Sequence, residues 1–246
     1  MTRPLGGLPV THLLCDADGT LFPSEEPAYA ASIGVTNRFL ADVLGADREY
    51  GATELQRLTN GKNFRGAAQE LAAGYGRELT RGDLDSWVAD EKDVVTAHLR
   101  EVLRPDAGVR DPLARLAQRF TLAAVTSSAL SRLGACLEVT GLAPLFPADR
   151  RFSAEDSLAE PTSKPDPAVY AHAGLVLGIT LDEGVAVEDS INGALSAVAA
   201  GYRTVGIVQF VPAADRQARE AALREAGAAV VVSSWAELEE LLTRPA

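Results

Sequence analysis

The chain has 246 residues, of which 47% are hydrophobic and 23% charged, a balance typical of an ordinary globular protein. Its formal net charge of -11 comes without a long basic run, which argues against nucleic-acid binding because nucleic-acid-binding surfaces are normally positive. No apolar run approaches the ~20 residues that cross a bilayer, and the N-terminus lacks the charged-then-apolar pattern of a secretion signal. We therefore expect a cytoplasmic protein that contacts no membrane.

Short apolar segments bounded by turn residues predict the strands. The first covers residues 10–15 and ends directly before Asp16. Four more segments, at 121–125, 184–187, 204–208 and 228–232, have the same character. Amphipathic stretches between the segments predict helices at 130–139, 167–177, 192–200, 213–226 and 235–242. Gly201 and Gly227 are placed to end two of these helices.

This alternation predicts an α/β fold, a parallel sheet covered by helices on both faces. Residues 24–104 interrupt the alternation, because they carry helical patterns and no strand of comparable quality. The helices predicted there cover 27–44, 52–59, 63–75 and 83–102. We therefore expect an α/β core formed by residues 1–23 and 105–246, with an inserted all-helical domain at 24–104. Tyr170 and Trp235 occupy helical positions suited to packing, and we assign them no chemistry.

The strongest chemical signal is the string Asp-Ala-Asp-Gly-Thr-Leu at residues 16–21, directly after the first strand. Ligands of parallel sheets bind at the carboxyl ends of the strands, where this string lies. Of two carboxylates in one tight turn, one can bind a divalent cation and attack phosphorus. The other can donate a proton to the leaving oxygen and later activate water. Asp16 and Asp18 are therefore candidate catalytic residues.

Three further polar groups follow predicted strands or precede a helix. Thr126, Ser127 and Ser128 follow the second predicted strand, where a hydroxyl and backbone amides can hold phosphate oxygens. Lys164, fixed by the proline after it, can place a positive charge against phosphate and a nucleophilic carboxylate. Glu188 and Asp189 follow the third predicted strand, and hard oxygen ligands of this kind suit Mg²⁺.

In this order along the chain, the four groups resemble the pattern of the haloacid dehalogenase superfamily, and the resemblance covers essentially the whole sequence. It implies a Rossmann-like, doubly wound core, a helical cap formed by the insertion, and Mg²⁺ as cofactor. Asp16 would be the nucleophile that is transiently phosphorylated, and Asp18 the general acid and base. Thr126 would bind phosphate, and Lys164 would be both catalytic and phosphate-binding. The implied metal ligands are Asp16, the main-chain carbonyl of Asp18, Glu188 and Asp189.

Two shorter strings, at 164–167 and 187–190, resemble the branch that contains β-phosphoglucomutase and phosphoglycolate phosphatase-like enzymes. The resemblance implies a phosphatase that acts on a small-molecule phosphate ester, such as a sugar or sugar-acid phosphate, and we expect a monomer. This branch places selectivity residues in a glycine-containing turn between cap helices. Here that turn contains Lys62, Asn63 and Arg65, which become candidate substrate-binding residues. Pro23 departs from the family pattern, which usually has an acidic residue at this hinge.

Three alternatives to a phosphatase stay open. A mutase such as β-phosphoglucomutase would share the catalytic residues but pass the phosphoryl group to a sugar instead of water. A phosphonate hydrolase would need a cap lysine as a Schiff base, and Lys62 and Lys92 are the only lysines of the insertion. A binding module without catalysis is disfavoured, because unused clustered carboxylates cost stability. Asp18 argues against carbon–halogen cleavage, because halide leaves without a proton.

Overall fold

The computed structural model describes residues 10–52, 54–55 and 64–244. The chain divides into two compact units. The segment Ser24–Val102 forms one of them, which we call the helical unit. The chain on either side of that segment forms the other, which we call the sheet unit. No helix in the described ranges is long and apolar enough to span a membrane.

The described part of the sheet unit contains six parallel strands. They are β1 His12–Cys15, β2 Thr121–Thr126, β3 Arg151–Ser153, β4 Gly184–Glu188, β5 Arg203–Ile207 and β6 Val230–Val232. Their order across the sheet is β3-β2-β1-β4-β5-β6. The chain therefore leaves β1 towards one edge of the sheet and leaves β4 towards the other. Ligands of such sheets bind outside the carboxyl ends of the strands at this reversal, so the residues after β1 and β4 lie at the expected crevice.

The register of the three central strands brings the motif residues level with one another. Cys15, the last residue of β1, pairs with Ala124 of β2 and with Val187 of β4. The next residue along each strand therefore projects from the same edge of the sheet. For β1 and β4 these residues are Asp16 and Glu188.

Helices fill both units. The helical unit contains α1 Glu25–Leu44, α2 Phe64–Gly74 and α3 Arg81–Val102. The sheet unit contains α4 Ala107–Leu116, α5 Leu130–Val139, α6 Ala168–Leu177, α7 Ile191–Ala199, α8 Arg216–Glu225 and α9 Trp235–Thr243. Helix α6 packs against β2 and β3, and α7 against β4 and β5. The predicted α/β fold with a helical insertion is confirmed.

Two elements of the sheet unit were not predicted from the sequence. Strand β3 has only three residues, and its arginine and serine hide the apolar pattern that identifies a buried strand. Helix α4 carries Gly108 and an internal Pro112, both of which usually indicate a break. The helix forms nevertheless, because the Asp106 side chain caps it by accepting from the Gly108 amide at 2.7 Å. Its apolar residues Val109 and Leu113 are buried.

The helical unit has an aromatic core of its own. The ring of Phe39 in α1 makes edge contacts with Trp87 in α3 and with Phe64 in α2, at centroid distances of 5.6 and 6.3 Å. Helix α1 begins at Glu25, two residues before the prediction, and ends at Leu44 as predicted. Most of the predicted helix at 52–59 lies outside the described residues.

Candidate active site

The loop that follows β1 is held to β4 by backbone and side-chain hydrogen bonds. The amide of Asp16 donates to the Val187 carbonyl at 2.9 Å, so the sheet pairing extends to the first acidic residue. Gly19 has a φ of 80°, and a Cβ at this position would overlap the Asp189 carboxylate. The Thr20 hydroxyl donates to Oδ1 of Asp189 at 2.9 Å. The loop therefore places the two acidic motifs next to each other.

Lys164 is the central cation of the site. Its Nζ donates to Oδ1 of Asp16 at 2.5 Å, to Oε1 of Glu188 at 2.7 Å and to the Val125 carbonyl at 2.8 Å. These three bonds use all the protons of an ammonium group. The side chain of Lys164 is only 6% exposed, and those of its two acidic partners are 9% and 0% exposed. The site is therefore a buried ionic cluster formed by residues distant in sequence.

The charges of this cluster do not balance. Asp16, Glu188 and Asp189 would contribute three negative charges. Lys164 contributes one positive charge, and Arg219 contributes a second through an ion pair with the Asp189 carboxylate at 3.8 Å, so one negative charge remains. Burial raises the pKa of Asp16, and the charge and hydrogen bond of Lys164 oppose this shift. Burial and then the charge of Asp16 raise the pKa of Glu188 to about 7. Burial acts to lower the pKa of Lys164, but Asp16 and Glu188 together raise it.

The donor set fits a divalent cation. Asp16, Glu188 and Asp189 each offer a carboxylate oxygen, and these atoms lie within 4.8 Å of one another. Oε2 of Glu188 is buried and accepts no hydrogen bond from any residue that the structure describes. A divalent ion would offset the excess negative charge, and carboxylate oxygens are the ligands that Mg²⁺ prefers. The carboxylate of Asp18 lies outside this cluster, in keeping with a contribution through its carbonyl.

The loop after β2 joins the remaining predicted residues to the cluster. Ser128 donates from Oγ to Oδ2 of Asp18 at 2.8 Å. Thr126 holds that serine through its own hydroxyl, which accepts from the Ser128 amide at 3.0 Å. Ser127 accepts from the amide of Lys164 at 3.1 Å. The structure therefore brings all three hydroxyl residues to the site, with Ser128 as the partner of Asp18, a role that its place in the motif did not reveal.

Tyr170 was predicted to serve packing alone, and the structure shows a polar contact as well. The ring is fully buried in the core beside β2, and its hydroxyl donates to Oε1 of Glu188 at 2.5 Å. Burial and the charge of Glu188 raise the pKa of Tyr170, so the phenol keeps its proton. One signal in the sequence could have indicated this contact, because a buried tyrosine hydroxyl generally finds a hydrogen-bond partner.

Two further contacts hold the acidic loops from outside the predicted motifs. Arg219 in α8 donates to the carbonyl of Asp189 at 2.8 Å. Trp235 is fully buried, as its predicted packing role requires, and its indole nitrogen donates to the Thr20 carbonyl at 3.0 Å. No pattern in the sequence links Arg219 to the site.

Comparison with known proteins identifies the family. The sequence profile of the haloacid dehalogenase-like hydrolases matches residues 10–201, well over half of the chain. The chain belongs to this family. A search of curated proteins found no significant match.

Solved structures of family members agree with this assignment along nearly the whole length. A haloacid dehalogenase-like protein of unknown function from Agrobacterium tumefaciens is 25% identical, with 95% of this chain and 97% of that one covered and a TM-score of 0.68. A HAD family hydrolase from Deinococcus radiodurans, solved with bound phosphate and sodium, is 26% identical, with coverages of 98% and 100% and a TM-score of 0.65. CbbY from Rhodobacter sphaeroides, solved with phosphate, is 25% identical, with coverages of 93% and 96% and a TM-score of 0.68.

Of the predicted substrate residues of this haloacid dehalogenase-like hydrolase, Arg65 lies in the described part of the helical unit. Arg65 donates to Oδ1 of Asp85 at 2.7 Å and to the Arg81 carbonyl at 2.8 Å. Its role in substrate binding stays a prediction. Lys62 and Asn63 lie outside the described residues.

Proposed function

We propose that this hydrolase is a Mg²⁺-dependent phosphomonoesterase that acts on a small phosphorylated metabolite, a sugar or sugar-acid phosphate, through an aspartyl-phosphate on Asp16. The observation that carries the proposal is the buried cluster in which Lys164 joins Asp16 to Glu188, with Asp189 beside them. Burying these charged side chains costs desolvation free energy, which disfavours a purely structural role for the cluster. Membership of the haloacid dehalogenase-like hydrolases supports the hydrolytic reaction class.

In the first step, a carboxylate oxygen of Asp16 attacks phosphorus and the ester P–O bond breaks. Asp18, in its protonated form, gives its proton to the departing alkoxide, and the alcohol leaves. Ser128 orients the acid through its bond to Oδ2. Lys164 keeps the nucleophile in place, and a fixed nucleophile lowers the entropic part of the barrier.

In the second step, Asp18 is a carboxylate and takes a proton from water while the oxygen of that water attacks phosphorus. The bond between Asp16 and phosphorus breaks, which releases inorganic phosphate and restores both acids to their starting states. Thr126, the last residue of β2, and Ser127, which follows it, would bind phosphoryl oxygens. Mg²⁺ held by Asp16, Glu188, Asp189 and the Asp18 carbonyl would offset the negative charge that builds up on those oxygens.

The choice among esters would belong to Lys62, Asn63 and Arg65 of the helical unit. Arg65 has an ion pair with Asp85, in which the Asp85 side chain is 64% exposed and the Arg65 side chain 24%. Ion pairs that stay in contact with water contribute only about 0.2–1 kcal/mol. An anionic group of the substrate could therefore replace Asp85 at little cost.

The test is phosphate release from a panel of phosphorylated metabolites, measured with MgCl₂ and with EDTA. We expect Mg²⁺-dependent release from a few sugar or sugar-acid phosphates, abolished in Asp16→Asn and kept in Asp182→Asn, a matched substitution of an exposed residue of the same unit. Conversion of β-glucose 1-phosphate to glucose 6-phosphate without release would support the mutase instead. Release that persists in EDTA or in Asp16→Asn would contradict the proposal.

A further inference from the structure

Glu188 receives two strong hydrogen bonds on one oxygen. Lys164 donates to Oε1 at 2.7 Å, and the hydroxyl of Tyr170 donates to the same atom at 2.5 Å. The second oxygen, Oε2, is buried and has no hydrogen-bond partner within residues 10–52, 54–55 and 64–244. Both donors therefore bind Oε1 of the carboxylate, and Oε2 is left for a cation.

The position of the carboxylate makes this arrangement depend on Tyr170. Glu188 is fully buried and lies so close to Gly193 that a Cβ there would overlap its carboxylate. Lys164 is shared among three acceptors, because the same ammonium group also bonds Asp16 and the Val125 carbonyl. The phenol bonds Glu188 from a ring that is fully buried in the core, so its direction is set by packing.

We propose that Tyr170 is a positioning residue: it holds Oε1 of Glu188 so that Oε2 is presented to the cation. This inference rests on the proposed function, since it concerns the same metal site. Groups that orient a metal ligand typically change metal affinity by about 10–100-fold when they are removed. Tyr170→Phe removes one oxygen and keeps the ring, so it isolates the hydrogen bond.

The chain offers a matched control in Tyr202. Its ring belongs to the same buried cluster as Tyr170, with ring centroids 6.4 Å apart. Its hydroxyl lies near Gly174 in α6, where a Cβ would overlap it, and is not among the donors to Glu188. Tyr202→Phe therefore removes a hydroxyl from the same core without touching the acidic cluster.

The experiment is calorimetric titration of MgCl₂ into the metal-free full chain. We expect Tyr170→Phe to raise the dissociation constant of Mg²⁺ by at least about tenfold, and Tyr202→Phe to leave it within about twofold of wild type. In phosphate release, Tyr170→Phe should need correspondingly more MgCl₂ and regain most of its kcat at saturating MgCl₂, because the residue does not touch the reacting atoms.

Three results would overturn the inference, and one of them also concerns the proposed function. An unchanged dissociation constant in Tyr170→Phe, with normal binding by wild type, would show that the hydroxyl serves the fold alone. Equal weakening in both variants would assign the effect to core packing. A wild-type protein that binds no Mg²⁺ would contradict the proposed function together with the inference.

Discussion

Gly193 lies in the first turn of α7, against the buried carboxylate of Glu188. A Cβ on Gly193 would overlap both carboxylate oxygens of that residue. The absence of a side chain therefore provides the volume in which the acid is held by Lys164 and Tyr170. Gly193 therefore contributes to the site the space that a side chain would otherwise fill.

Substitution of Gly193 should displace the Glu188 carboxylate, because a side chain at this position would overlap it. We predict that Gly193→Ala lowers the free energy of unfolding by about 1–3 kcal/mol, the cost of overpacking a core, and abolishes phosphate release. Gly34→Ala is the control, because Gly34 is also helical and no atom lies within 4 Å of its Cβ position. That variant should gain about 0.5–1 kcal/mol and keep full activity. Denaturant unfolding and the release assay measure both effects, and an active, stable Gly193→Ala would contradict the account.

At the residue scale, the charged groups of the site were predicted from the sequence. The hydrogen bond that Tyr170 donates to Glu188 was not. Asp16, Lys164 and Glu188 were identifiable because each follows or precedes a regular element with a distinctive local string. Tyr170 is six positions after Lys164 in a helix with an apolar pattern, and nothing local distinguishes its hydroxyl from a packing residue. Its partner Glu188 comes 18 positions later, so only the fold brings them together.

Helix α7 begins directly after the acidic motif that ends β4. Its N-cap is Ser190, directly after Asp189, and the serine side chain accepts from the amide of Gly193 at 3.0 Å. Helix α9 begins in the same way, with Ser234 accepting from the amide of Glu237 at 3.2 Å. The two caps have the same chemistry, but only the first lies beside the site.

A comparison of the two caps distinguishes an effect on stability from an effect on activity. We predict that Ser190→Ala and Ser234→Ala each lower the free energy of unfolding by about 1 kcal/mol, the usual cost of an N-cap. Only Ser190→Ala should also reduce phosphate release, by about tenfold, as expected for a group that orients metal ligands. Equal activity in the two variants would show that the start of α7 does not set the position of Asp189.

At the element scale, apolar patterns predicted the strands with unbroken apolar runs, including the three-residue β6, and failed for elements with polar or helix-breaking residues. Strand β4 has five buried residues, which gives an unbroken apolar run ahead of its final glutamate. Strand β3 is stabilised by pairing with β2, through Ala124 with Arg151 and Thr126 with Ser153. Such pairing is a property of the sheet, and a strand formed by Arg, Phe and Ser carries no apolar run that would indicate it.

At the scale of the molecule, the strand order places the carboxyl ends of β1 and β4 at the reversal of the sheet. The chain carries a net charge of -11, and the site brings three buried carboxylates together against the cations Lys164 and Arg219. Desolvation makes such charges far more costly than charges on the surface. The folded protein should therefore bind and be stabilised by a divalent cation.

We predict that MgCl₂ raises the midpoint of thermal unfolding more than NaCl at equal ionic strength. At a concentration of 100 times the dissociation constant, binding to the folded state alone adds about 2.7 kcal/mol. In Asp189→Asn the difference between the two salts should shrink, because one ligand oxygen loses its charge. Identical shifts in MgCl₂ and NaCl for the wild type would indicate screening of surface charge instead of a bound ion.

The central claim is that Asp16 accepts the phosphoryl group, and trapping this species tests it most directly. In p-nitrophenyl phosphate the leaving group departs without a proton, so Asp18→Asn should block mainly the second step and let the phosphoenzyme accumulate. After brief mixing with MgCl₂ and an acid quench, mass spectrometry should find one added phosphoryl group, on the peptide that contains Asp16. Asp16→Asn in the same background should carry none. Steady hydrolysis without any phosphorylated enzyme, or a phosphoryl group on another residue, would contradict the account.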